Sequence, residues 1–507
     1  MPSEILERPV PLRQGIGSAE EKVTTSSPQA QAFYNQGVAY LNSFVWIEAA
    51  RSFHQALRLD PGLAMAYLGL SDAYIGLQDV AAARSAFAKA QALGAKASER
   101  ERERIAIRAK ELAFLEDSGN LQKYFAWRQE IGNALKTDPR NPWQWIQRGF
   151  ADEGSPFAHG QNGGTDTIAF YQTALDLAPG NFAPHHYLAH TYETLGLARE
   201  ALEESEIYER MCPAIPHAHH MRGHELRRLG RTEEAVAEFL KADELENDYY
   251  RAENISARYD WHHAHNLNLL AMSYETLGQM KDAEARFREA FSLPAYADLA
   301  EYDRGSWPEF LLDRGRPAEA LGAAEELAKS RWAMGRLAGH ALAGRAMLAL
   351  GRVEDAKNEL SLAEQELEQL PAALAGTLPN AAELRGEILL EEKNWKEADA
   401  LMEQIEQKID AVPGPDGWSE ALFQLDSIGR VARAAGDWPL AESTAQIIVR
   451  HDPSYAGGYY ALGLVAEHAG GAAAARHDFA EAQVRWARAD DGLPELAHIR
   501  QRLAADK

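Results

Sequence analysis

Residues 32–61 read AFYNQGVAYLNSFVWIEAARSFHQALRLDP, and the reading of this stretch decides the fold. Apolar residues recur at helical spacing in two runs. Gly37, Ala49 and Ala56 are small, as they must be where two antiparallel helices approach closely. Tyr40 and Phe53 are large enough to fill the gap to a following unit, and Pro61 cannot continue a helix. The stretch predicts a helix, a tight turn, and a second helix packed back on the first.

The pattern returns downstream. Residues 64–90 read AMAYLGLSDAYIGLQDVAAARSAFAKA, and a degenerate copy ends in LKTDP at Pro139. Between them ASERERERIAIRAKEL (97–112) reads as a charged helical insertion. A fourth unit, 142–180, is interrupted by FADEGSPFAHGQNGGTD, whose Gly-rich part (154–166) is too long for a repeat turn and reads as a lid or rim loop. Clearer units then carry a TLG or LG turn. Gly196 and Gly230 lie 34 residues apart, whereas Gly230 and Gly278 lie 48 apart, so about 14 residues are inserted near 247–261. Further turns fall at Gly315, Gly351, Lys393, Gly436 and Gly470.

This recurrence resembles the tetratricopeptide repeat family across most of the chain. The resemblance implies an all-α, right-handed α-solenoid of about twelve helix-turn-helix units, with first helices lining a concave groove and second helices forming the convex back. The expected organisation is an extended lead-in (1–28), N-terminal repeats with the charged insertion (29–141), central His-rich repeats (142–300), further repeats (301–370), and C-terminal repeats with a polar cap (371–507). Looser spacing after Gly351 and the PGPDG run at 413–417 predict a flexible seam there.

Composition narrows the functional classes. A net charge of −24 argues against non-specific nucleic-acid binding and against docking on anionic lipid. Cys212 is the single cysteine, so no internal disulfide forms. No apolar run reaches the length of a membrane span, and the N-terminus has no apolar leader core. Cytoplasmic location is the default expectation, with a periplasmic one open if the N-terminus has been trimmed.

The outstanding compositional feature is histidine. Ten of the 17 fall between His185 and His265, in PHHYLAHTYETLG, PHAHHMRGH and WHHAHNLNLLAMSYETLG. In the family, groove-facing side chains of a first helix share one helical face. With the turn glycines as reference, that face carries His186, His190 and Glu193, then His217, His220 and His224, then His265, Asn268 and Glu275. His186/His190 and His220/His224 each set two imidazoles one turn apart, as in zinc-protease helices. Neighbouring helices lie roughly 8–10 Å apart, close enough for such pairs to converge on one or two ions. A nitrogen-rich set without thiolates suits copper, zinc or iron. The expected ligands are His186, His190, His220 and His224, assisted by His265 and His217, with Glu193, Asn266, Asn268 and Glu275 around them. Read more blandly, such histidines are solvated groove residues or contacts to an acidic partner. His185, His219, His262 and His263 fall off this face, where packing is the expectation.

Narrower features resemble a bacterial subfamily of these proteins, whose members carry an SPEAQ-type start, a TPRER-type insertion, HMPSH and HN-x-x-FL. The match maps His220, His224, His265 and Asn266 onto its motif residues, with Arg222 and Gly223 replacing Pro and Ser. GQNGG at 160–164 lacks the Lys-Ser/Thr and preceding strand of a phosphate loop, and no Gly-x-Ser-x-Gly elbow occurs. In later units the groove face carries Glu309, Arg345, Glu383, Glu387, Asp426 and Arg430, mixed charges that suit a peptide. Two functions follow as expectations: a metal-dependent solenoid acting on a small molecule or peptide, or a non-catalytic scaffold for a protein or peptide partner.

Overall fold

The computed structural model describes residues 1–153, 160–294, 303–411 and 415–505. Residues 154–159 of the expected rim loop, including His159, and 412–414 of the expected seam lie outside the described residues. Among the described residues all regular structure is helical, and no helix is long and apolar enough to cross a membrane. Helices follow one another in pairs. The pairs begin at residues 28, 64, 99, 142, 183, 216, 261, 306, 333, 380, 415 and 456, and Pro494–Ala505 closes the chain.

The first pair shows why the sequence folds this way. Ser27 caps Pro28–Leu41 by accepting from the Ala30 amide, with Pro28 at the first helical position. Phe53, on Trp46–Leu59, is fully buried against the next pair. A Cβ added at Gly37 would lie 2.6 Å from its ring, and one at Gly69 2.3 Å, so glycine in both first helices admits the phenyl group. Most of the turns share one backbone device. Gly196, Gly230, Gly278, Gly315, Gly351, Gly436 and Gly470 all have positive φ, as does Lys393 (59°). In the first two pairs Phe44 (φ 58°) and Gln78 (φ 57°) take that place, although side chains there are strained.

The chain divides into two compact units, residues 1–225 with 241–255, and residues 226–240 with 256–507. The insertion expected near 247–261 is built as an extension of the helix Thr232–Glu253 followed by a short turn, Ala257–Tyr259.

In the first unit the lead-in is a packed strap. Apart from the short helix Ser3–Leu6 it is irregular, yet Val10, Ile16, Ala19 and Val23 are buried. First-helix side chains hold its main chain. Gln36 accepts from the Arg13 amide (2.7 Å) and donates to the Pro11 carbonyl (3.1 Å). Gln31 accepts from the Val23 amide (3.0 Å) and donates to the Glu21 carbonyl (2.7 Å). Farther along, the Ala214 amide donates to the Gly15 carbonyl (2.8 Å), so the strap joins the first pair to the histidine-bearing pairs. Glu253 receives Arg51 (2.8 Å) and Arg13. The charged insertion is the helix Glu99–Leu115, started by a Ser98/Glu101 capping box. Its Arg104 and Arg108 are buried, paired with Glu21 and with Asp72 and Glu111.

In the second unit the C-terminal segment returns to earlier repeats. The Asp490 amide donates to the Gly278 carbonyl (3.0 Å), and Arg488 pairs with Glu233 (2.8 Å).

Candidate metal centre

Two helices of the first unit carry the histidines. Ala183–Thr194 has Pro184 in its first turn and presents His186 and His190 one turn apart. Pro216–Arg228, entered through the turn at Cys212, presents His217, His220 and His224. The two faces meet, and the imidazoles form a continuous row. Ring centroids are 4.9 Å apart for His190–His186, 4.9 Å for His186–His217, 5.7 Å for His217–His220 and 4.3 Å for His220–His224. All five are buried. They are therefore neither solvated groove residues nor a surface open to an acidic partner.

The nitrogens converge. His186 Nε2 lies 3.2 Å from His190 Nε2 and 3.0 Å from His217 Nε2. His220 Nε2 and His224 Nε2 are 2.7 Å apart. With metal–nitrogen bonds of about 2.0–2.1 Å, tetrahedral donors stand about 3.3–3.4 Å from one another. The His186–His190 and His186–His217 separations are within a few tenths of an ångström of that spacing, and ligand nitrogens of all three rings lie within 4.8 Å of one another.

The outer nitrogens of His186, His190 and His224 face polar groups. His186 Nδ1 lies 2.6 Å from the Asn42 carbonyl, which can only accept, so Nδ1 carries the proton. His190 Nδ1 lies 3.2 Å from Glu193 Oε2, and His224 Nδ1 3.4 Å from Glu193 Oε1. Burial works to raise the Glu193 pKa, but hydrogen bonds from Glu225, His190 and His224 outweigh it and hold the carboxyl well below its usual range. Its carboxylate thus accepts, and His190 donates through Nδ1. The Nε2 lone pairs of His186 and His190 then face each other at 3.2 Å, an arrangement that a shared cation relieves. Burial, reinforced by His190, pushes the His186 pKa well below its usual value and keeps the ring in the neutral form that a metal needs. Carbonyl and carboxylate partners on the far nitrogen are the usual orienting groups of metal-bound histidine.

Phe44 encloses the triad. From its turn in the first pair its ring sits 4.6 Å from His186, 5.2 Å from His217 and 5.9 Å from His190. Tyr208 stacks on His186 at 4.8 Å, and the Tyr187 hydroxyl donates to Asn42 Oδ1 (2.7 Å). Beyond Phe44 and Tyr187 lies a cavity of about 730 Å³, counting its open mouth, lined also by Arg104, Arg108 and Trp143.

The structure sorts the expected site residues. His186, His190 and His217 form one group, with His220 and His224 continuing the row and Glu193 serving both. His265 belongs to the second unit, where it stacks on Trp261 (5.9 Å) and lies 3.5 Å from Asp303. In that unit the Asn266 amide donates to the Phe239 carbonyl (3.0 Å), Asn268 is buried, and Glu275 lines a different cavity. His185 binds Glu204 (2.5 Å) and His219 the Pro213 carbonyl (3.2 Å). Cys212 is buried, its thiol pKa raised by that burial. The sequence reading missed Asn42 and Phe44. The available signal was an aromatic residue standing where later turns have glycine.

Two sequence profiles described as tetratricopeptide repeat match the chain, one at residues 216–249 and 264–295, the other at 46–98 and 427–494. No curated protein matches it. Among solved structures it is similar to a tetratricopeptide repeat protein from Parabacteroides merdae (16% identity, 53% of this chain and 94% of that one, TM-score 0.37). It is also similar to yeast Tom70 (15%, 85% and 92%, 0.40) and to a monomeric IFIT1 mutant with Gppp-AAAA (13%, 91% and 91%, 0.38). Nothing about the histidines follows from these neighbours. Tetratricopeptide repeats thus occupy the matched segments, each a helix pair or part of successive pairs.

Proposed function

We propose that the first unit binds a transition-metal ion through the Nε2 atoms of His186, His190 and His217. The observation that carries the reading is the convergence of these nitrogens while Asn42 and Glu193 take the outer nitrogens of His186 and His190. The all-nitrogen donor set suits copper, iron or zinc. His220 and His224, 2.7 Å apart at Nε2 and tied to the same Glu193, are the natural pair for a second ion or a second donor group.

Three histidines leave coordination positions open, as in catalytic rather than closed structural sites. An ion there supplies Lewis acidity or redox chemistry. The protein's own residues orient the imidazoles, exclude water through Phe44 and Tyr208, and offer the neighbouring cavity to a small molecule or peptide. Titration of metal-stripped, untagged protein with zinc(II) and copper(II) tests the reading, with His186→Ala as the variant that should lose the site. Equal uptake by both proteins would sink it.

A second reading, a scaffold for a protein or peptide partner, draws support from the family and from the strap. Gln31 and Gln36 already hold extended main chain, the mode in which such a groove would grip a peptide. Partner capture that persists in chelator and in His186→Ala, by a protein that takes up no metal, would favour it.

A further inference from the structure

The second unit contains a cavity of about 660 Å³, counting its open mouth. Its walls come from the helices Trp261–Thr276, Met280–Ser292, Ser306–Asp313, Ala333–Ala349, Asn380–Glu391 and Pro415–Ala435. Carboxyl groups outnumber cations on its lining: Glu275, Glu309, Asp313, Glu383 and Glu420 face Arg345 alone. The cations near it are already engaged. Arg345 holds Glu387 (2.8 Å) and Glu309 (3.2 Å) and donates to Ser427, while Arg430 is paired with Asp313.

Two carboxylates are left over. Glu383 is 5% exposed, lines the cavity, and its buried Oε1 has no hydrogen-bond partner among the described residues. Glu275 is 7% exposed on the same cavity and forms no ion pair with a described residue. An ionised carboxylate held so is costly unless a cation meets it. Burial pushes Glu383 up to about 8 against the opposing pull of Arg345, and burial together with Asp313 pushes Glu275 well above the carboxylate range.

The rest of the lining says which cation. Phe287, Phe310, Phe423 and Leu342 give the cavity apolar and aromatic walls. A hard metal ion demands oxygen on every side, which these walls do not offer. An ammonium group carried on an alkyl chain satisfies both surfaces, its charge at the carboxylates and its methylenes on the phenyl rings. We infer that this cavity binds an alkylammonium group, with Glu383 and Glu275 receiving the ammonium and Phe310 and Phe423 flanking the chain. A free diamine and a lysine side chain of a peptide share that chemistry.

Isothermal titration of the full chain with cadaverine, Nα-acetyl-lysine methylamide, n-pentanol and calcium chloride tests it. The expected result is binding of one or both amines and none of pentanol, with amine affinity reduced about tenfold or more in Glu383→Gln, the loss of one charged hydrogen bond. Cadaverine binding tighter than the lysine derivative identifies a free amine as the ligand, and the reverse order a peptide side chain. Equal binding of pentanol, calcium binding without amine binding, or unchanged affinity in the variant overturns the inference. Should Glu383→Gln not fold, the contrast between amine and pentanol on the unaltered protein decides it alone.

Discussion

Replacing Glu193 by glutamine is the most informative single change to the proposed metal centre, because one carboxylate orients two imidazoles. Its Oε2 lies 3.2 Å from His190 Nδ1 and its Oε1 3.4 Å from His224 Nδ1. Glutamine keeps the shape but can accept from only one of the two rings, and its amide nitrogen meets the other Nδ1–H donor to donor. Losing the carboxylate behind a metal-bound histidine reduces affinity roughly 10–100-fold, about 1.4–2.7 kcal/mol. The nitrogen donors themselves are untouched, so Glu193→Gln should weaken the site by that amount without abolishing it. Competitive titration of zinc(II) against a chromophoric chelator measures the ratio. His185→Ala is the control, since His185 binds Glu204 and faces away from the row. Affinity in Glu193→Gln equal to that of the unaltered protein would refute the claim that Glu193 positions ligands. A loss matched by His185→Ala would refute it equally.

Three further outcomes follow from the same geometry. Phe44→Gly relieves a strained turn worth about 1–2 kcal/mol but removes a buried ring worth about 3–5 kcal/mol, so urea unfolding should show a net loss of about 1–4 kcal/mol; a gain in stability would contradict the packing role. Removing residues 1–24 strips Gln31, Gln36 and Glu253 of their strap partners and uncovers buried apolar surface. The truncated chain should melt lower by calorimetry, and an unchanged melting temperature would show that the strap is not part of the folded unit. Glu383 binds its proton more tightly folded (about 8) than a free glutamate does, so between about pH 4.3 and 8 the folded state holds the extra proton. Stability should therefore fall as pH rises through that window, by up to about 1.4 kcal/mol per pH unit for this one group. Glu383→Gln should flatten the dependence; a slope identical in the variant would assign the effect to other carboxyls.

Much of the architecture was legible because it repeats. Every turn read from the sequence, from Gly196 to Gly470 and including Lys393, has the positive φ that ends a first helix. The helical register also picked out chemistry. It put His186, His190, His217, His220 and His224 on one face, and the structure brings their rings into one row. It likewise named Glu309, Arg345 and Glu383 in later units, and the structure places all three on the lining of one cavity. What register cannot show is a contact between distant repeats. Asn42 and His186 are 144 residues apart, and only the fold reveals that the first turn covers the histidines. The lead-in was unreadable for the same reason. Its periodicity is absent because side chains of other helices, not its own backbone pattern, satisfy its main chain.

In the proposed function the convergent nitrogens hold a metal ion rather than a proton. Elemental analysis of untagged protein after reconstitution and desalting tests it most directly. At least about one equivalent of copper, iron or zinc per chain is expected, reduced to background by His186→Ala. A metal content below about 0.2 per chain, with the histidine row intact, would contradict it.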